Sequence, residues 1–198
     1  MSEKKVNRKQ QILEVLASEL ETSPGSRITT ARLAKAVGVS EAALYRHFPS
    51  KARMFEGLID FSEEAIFGIA NRIMEEETDV IKRCENLLIV LLRFAERNPG
   101  ITRILVGDAL IGENERLRQR MAQLFERLET QFKQILREAP MASEGSRPIE
   151  SINSTANLLL TFADGKMCRY VRSGFSARPT EYWDTQWPLL QKGLFLTN

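Results

Sequence analysis

Apolar residues recur at three- and four-residue steps along most of this chain, and no stretch alternates in twos as a half-buried strand would. The pattern predicts an all-α protein. A first helix over roughly Lys9 to Glu21 carries Ile12, Leu13, Leu16, Ala17 and Leu20 at helical spacing. A fourth is predicted from near Ser50 to about Glu76, with a core stripe of Phe55, Leu58, Ile59, Ile66, Ile69, Ala70 and Ile73. A second stripe on it reads Phe61, Ala65, Gly68 and Arg72. One large aromatic followed by small residues fits either a shallow groove for a partner peptide or close contact with another helix. A fifth helix, roughly Val80 to Arg97, is apolar nearly all round at Leu87 to Leu92, which places it inside a core. Asn98-Pro99-Gly100 ends it, and a sixth is expected over about Ile101 to Ile111.

The seventh, roughly Asn114 to Glu138, steps through Leu117, Met121, Leu124, Leu128, Phe132 and Ile135. Its other face interleaves Arg116, Arg118, Arg120 and Arg127 with Glu126 and Glu129, the pattern of a solvated surface. After a polar loop over residues 139–148, an eighth helix is predicted from about Ile149 to Ser173. It has two apolar stripes: Ile152, Ala156, Leu159, Ala163, Met167 and Tyr170, and then Leu158, Phe162 and Val171. Two apolar faces point to one buried within the chain and one against a second subunit. A ninth helix should start near Pro179, with Trp183, Trp187, Leu190 and Leu194 on one face and a kink at Pro188.

The densest local signals lie in residues 28–51, ITTARLAKAVGVSEAALYRHFPSK. Thr30 is read as an N-cap for a helix over Ala31 to Val37, whose Leu33, Ala34 and Val37 share a face. Gly38 stands where a helix ends in a left-handed residue. Ser40 then caps Glu41 to His47, with Leu44 and Phe48 turned inward. Pro49 stops that helix and Ser50 caps the next. Helix, glycine turn, helix at this spacing is a helix-turn-helix, and the first helix packing across both completes a three-helix unit.

Charge sharpens the picture. The net charge is only +2, but residues 1–53 hold ten Lys/Arg against five Asp/Glu, and residues 54–198 hold eighteen against twenty-one. Positive charge, including Lys4, Lys5, Arg8 and Lys9, gathers beside the helix-turn-helix, where a polyanion would bind. With 43% hydrophobic and 27% charged residues the 198-residue chain is ordinary for a globular protein. Its two cysteines, Cys84 and Cys168, show no pairing pattern and suit a reducing cytosol. The basic N-terminus lacks the apolar run of a signal peptide, and Leu87 to Leu92, the longest apolar run, is too short for a membrane span. A cytoplasmic protein with no membrane partner is expected.

The motif resembles the DNA-binding signature of the TetR family of bacterial regulators, and its LYRHFPSK end is especially close. The resemblance implies about nine helices. A helix-turn-helix domain over residues 1–53 would precede a helical core and dimerisation domain over residues 54–198, with the last two helices building a four-helix bundle across a homodimer.

A helix fits the major groove, where base edges carry a readable code, and in this motif the second helix reads it with its N-terminal residues. Here these are Ser40, Glu41, Ala42 and Ala43, then Arg46. Arg46 can donate to guanine or phosphate, Ala42 or Ala43 can touch a thymine methyl, and Glu41 can accept from a cytosine amino group or simply favour the helix N-terminus. Thr29, Thr30, Tyr45, His47 and Lys51 are better placed as phosphate clamps. For Tyr45, His47 and Lys51 the family resemblance implies the same. Two such modules on a symmetric dimer imply double-stranded DNA with palindromic sites.

Enzymatic chemistry finds little support. The one histidine, His47, lies in the motif, no Cys/His cluster has metal-ligand spacing, no glycine-rich phosphate loop follows a strand, and no cofactor is implied.

A closer resemblance spans nearly the whole chain. The stretches FAERNPGITRILVGDAL, LFERLETQFKQILRE and RYVRSGFSARPTEYWDTQWPLL, in this order after the helix-turn-helix, are similar to the branch of the family that acts in nucleoid occlusion. That resemblance implies a nucleoid-associated protein that antagonises the division protein FtsZ when bound to DNA, and it allows a dimer of dimers there. The alternative is a ligand-responsive repressor. It also implies an FtsZ contact through Phe61, Arg97 and Asn98. Arg97 further stands where a cation complements the C-terminal dipole of its helix.

Overall fold

The computed structural model describes residues 7–23, 27–138 and 148–195. The expected loop over residues 139–148, and the basic tail with Lys4 and Lys5, lie largely outside the described residues. Among the described residues there are nine α-helices, one 3-10 turn and no strand. The helices are α1 (Arg8–Thr22), α2 (Thr30–Val37), α3 (Glu41–His47), α4 (Lys51–Glu76), α5 (Val80–Arg97), α6 (Pro99–Leu105), α7 (Glu115–Arg137), α8 (Ile152–Arg172) and α9 (Trp183–Leu194).

Two compact units divide the chain, one of residues 1–62 with 98–121, the other of 63–97 with 122–198. They run across the boundary read at residue 53. In the first unit α1 packs on α2 and α3, as expected, but most extensively on α6. Gly100 makes that approach possible: a Cβ there would lie 2.0 Å from the Ala17 carbonyl oxygen. Arg103, 4% exposed, reinforces it by donating to the Leu20 carbonyl oxygen at 2.7 Å and to Asp108 at 2.5 Å. It thus satisfies an orphan carbonyl at the end of α1.

In the second unit α5 packs on α8, and α5 buries Leu87, Leu88, Leu91 and Leu92. Arg83 on α5 donates to the Glu77 and Met74 carbonyls and pairs with Glu138 at 2.5 Å. Burial pushes the Cys84 thiol up to about 12, so it stays protonated at neutral pH.

Several elements depart from the periodic reading. Asn7 caps α1 and Arg8 begins it, where a basic tail was expected. The Thr29 hydroxyl, not that of Thr30, accepts from the Arg32 N–H and caps α2. Helix α6 ends at Leu105 rather than Ile111, because Gly107 turns left-handed at φ 79° and leads into the 3-10 turn Asp108–Leu110. Helix α8 starts at Ile152: Pro148 bridges to Phe195, the Ile149 N–H donates to the Leu194 carbonyl, and Ser151 caps the helix. Helix α9 starts at Trp183, after Tyr182 takes φ 64°, and runs through Pro188.

On α4, Phe55, Leu58, Ile59, Ile66 and Ala70 are buried, whereas Ile69 is 41% exposed and Ile73 half-buried. A Cβ added at Gly68 would meet no atom within 4 Å, so Gly68 itself makes no close helix contact among the described residues. The arginine face of α7 is not simply solvated. In the first unit Arg116 and Arg120 pair with Glu56 and Asp60 of α4 at 3.3 and 2.7 Å; in the second, Arg127 pairs with Glu63 at 3.2 Å and lies 4.1 Å from the centre of the Phe67 ring.

Candidate nucleic-acid interface

The helix-turn-helix is built by capping. Gly38 adopts φ 77° and its N–H closes α2 on the Ala34 and Lys35 carbonyls. The Ser40 hydroxyl accepts from the Ala43 N–H at 3.2 Å and starts α3. Leu33, Ala34, Val37 and Leu44 are buried, which clamps the two short helices onto α1. A seven-residue helix such as α3 is not stable alone, so this burial is what presents its outer face.

That outer face carries the side chains the motif predicts. Glu41, Ala42, Tyr45 and Arg46 are exposed, Ala43 and His47 half-buried. Two predicted contacts have structural work as well: the Thr29 and Ser40 hydroxyls hold helix caps. The Thr30 hydroxyl donates to Glu41 at 2.8 Å and ties α2 to α3, so one Glu41 carboxylate oxygen already has a partner. Lys51 has a partner that the motif does not supply. Its ammonium pairs with Glu113, and its side chain is 19% exposed. Glu113 lies 62 residues further along the chain, so no local pattern announces it.

The three residues implied for a protein partner fall in two places. Phe61, 48% exposed, and Asn98 line a cavity of about 540 Å³ in the first unit, together with Leu13, Ala17, Leu58 and Ile101. Asn98 directly precedes α6, and its carbonyl accepts from the Thr102 N–H and hydroxyl at 2.9 Å. Arg97 lines a cavity of about 510 Å³ in the second unit with Arg93, Glu96 and Trp183. Glu96 there is engaged by the Thr180 hydroxyl at 2.5 Å. Arg93 stands four residues before Arg97 on α5, so helical spacing already makes them neighbours, whereas only the fold sets Trp183 beside them. Among the described residues no group of three or more His, Cys, Asp or Glu could hold a metal ion, and no helix is long and apolar enough to cross a membrane.

Comparison with known proteins agrees with this architecture. Residues 12–58 match the family described as bacterial regulatory proteins of the tetR family, and residues 78–195 match the tetracyclin repressor-like C-terminal domain. The chain is 59% identical over 191 residues to the nucleoid occlusion factor SlmA of Shewanella oneidensis, covering 96% of each chain. It is 56% identical over 196 residues to the nucleoid occlusion factor SlmA of a Marinomonas species, covering 99% of each. Among solved structures, a TetR transcription regulator from Haloarcula marismortui superposes with a TM-score of 0.76 at 19% identity, covering 96% of this chain and 98% of that one. The fold, the motif and the full-length identity together place the chain in the TetR family, among the nucleoid occlusion factors named SlmA.

Proposed function

We propose that this protein is a DNA-bound nucleoid occlusion factor that antagonises FtsZ polymer assembly over the chromosome and so inhibits division there. It acts as a regulator rather than an enzyme, in the cytoplasm on the nucleoid. The observation that carries the reading is the identity, 56–59% from end to end, to nucleoid occlusion factors.

In this reading residues 1–53 form the DNA-binding domain and residues 54–198 the core and dimerisation domain. The exposed face of α3 enters the major groove. Arg46 reads a base edge or a phosphate, Ala42 and Ala43 supply apolar contact, and Tyr45, His47 and Lys51 hold the backbone. Helices α8 and α9 pair two copies; Leu158 and Leu189, 49% and 70% exposed, supply apolar surface for that interface. The symmetric pair then takes a palindromic site. FtsZ docks through Phe61, Arg97 and Asn98, where a guanidinium suits an acidic tail. DNA promotes the antagonism by gathering dimers side by side, which raises the local concentration of weak FtsZ sites.

DNA binding should weaken steeply with salt, since each phosphate contact releases counterions. Fluorescence anisotropy on a duplex from about 0.05 to 0.2 M salt measures this, and a flat response would contradict the interface. The functional test is FtsZ assembly followed by light scattering with GTP, with this protein, with and without DNA it binds. Loss of polymers only when DNA is present is the expected result. Unchanged polymers despite DNA binding would return the protein to the ligand-responsive repressors of its family.

A further inference from the structure

The geometry points to Glu113 as a built-in rival of DNA phosphate: its carboxylate occupies the Lys51 ammonium and holds DNA affinity below what the cationic surface could reach. This rests on the reading of Lys51 as a phosphate clamp. Lys51 opens α4, directly after the helix-turn-helix, where an ammonium can reach the backbone flanking the recognition helix. Yet its Nζ pairs with Oε1 of Glu113 and lies 5.4 Å from the centre of the Phe55 ring. The same oxygen stands 3.9 Å from Nε of Arg27, whose side chain is 75% exposed. One carboxylate therefore faces two cations of the first unit.

Glu113 is held in that position. It is 10% exposed, and its N–H donates to the Leu110 carbonyl at 3.1 Å, which fixes the loop between the 3-10 turn and α7. It does not swing freely into solvent to make way for a phosphate. A nucleic-acid phosphate that takes Lys51 must share the ammonium with Glu113 or displace it, and either route weakens the contact. Such tempering suits a protein that must redistribute among many chromosomal sites, because salt-dependent phosphate contacts supply most sequence-independent affinity.

The test is anisotropy on one duplex as a function of salt, for the wild type, Glu113→Gln, Lys51→Gln and the double variant. Glu113→Gln keeps the shape and removes the charge. It is expected to bind about fivefold tighter near 0.1 M salt, as freeing one ion-paired cation allows. Its log–log salt slope should steepen by about one, the increment of one added phosphate contact. Lys51→Gln should weaken binding and flatten the slope by about one. In the double variant the gain from Glu113→Gln should vanish. Should Glu113→Gln fail to fold, Glu113→Asp, which keeps the charge but withdraws it by one methylene, decides the matter with a smaller gain in the same direction.

Equal or weaker binding by Glu113→Gln would overturn the inference and make the pair purely structural. A gain that persists without Lys51 would also overturn it, as a general charge effect. No effect of Lys51→Gln would remove the clamp itself, while wild-type DNA binding would still stand. Failure of the wild type to bind DNA at all would instead sink the functional reading.

Discussion

Gly100→Ala is expected to destabilise the protein by about 3 kcal/mol, the scale of forced overpacking in a close contact. For a chain of this length that is a fall in melting temperature of about 6–12 °C. The added methyl would sit 2.0 Å from the Ala17 carbonyl oxygen and 3.0 Å from the Glu21 N atom, so it meets backbone rather than a yielding side-chain tip. Helix α1 or α6 must move, and α1 is the platform on which α2 and α3 pack. The variant is therefore expected to lose DNA affinity as well as stability. The better helix propensity of alanine recovers at most about 1 kcal/mol. Gly68→Ala is the control: its methyl meets no atom within 4 Å in α4, so the same propensity gain should appear unopposed. Thermal unfolding by far-UV circular dichroism at matched protein concentration checks both. A Gly100→Ala variant that melts with the wild type would mean that the helices separate without cost, contrary to the packing described.

Phe61→Ala is expected to abolish FtsZ antagonism while leaving DNA binding intact. Phe61 is 48% exposed and lines a mostly apolar cavity, a setting in which one aromatic anchor can carry much of a binding energy. Truncating such an anchor costs about 2 kcal/mol or more, which weakens FtsZ binding roughly thirtyfold. Arg97→Ala should act in the same direction through the lost charge-assisted contact. Phe61 lies on α4 outside the helix-turn-helix, so anisotropy on a duplex should not change. Light scattering of FtsZ with saturating DNA reads the antagonism, and the melting temperature reports any damage to the fold. A Phe61→Ala protein that still dissolves FtsZ polymers would remove this side chain from the partner site.

The helix-turn-helix was legible because its determinants are local. Gly38, Ser40, Leu44 and the caps act within a few residues of one another, and the structure differs from the reading mainly by moving the first cap from Thr30 to Thr29. The core stripe of α7 was equally plain, since every residue named on it is buried. The starts of α8 and α9 were not legible. Pro148 is held by Phe195, 47 positions away, and Tyr182 adopts a left-handed backbone that no turn residue advertises.

By itself, then, the sequence determined the helices, their buried faces and the family, because amphipathic spacing and capping chemistry are written in neighbouring residues. Tertiary structure alone decided what the charges do. Lys51 meets Glu113, Arg103 closes the end of α1, and Arg116 and Arg120 of α7 pair with acids of α4, across separations that periodicity does not encode. A charged side chain reads as a solvated face or a phosphate contact until the fold brings its counter-charge within reach.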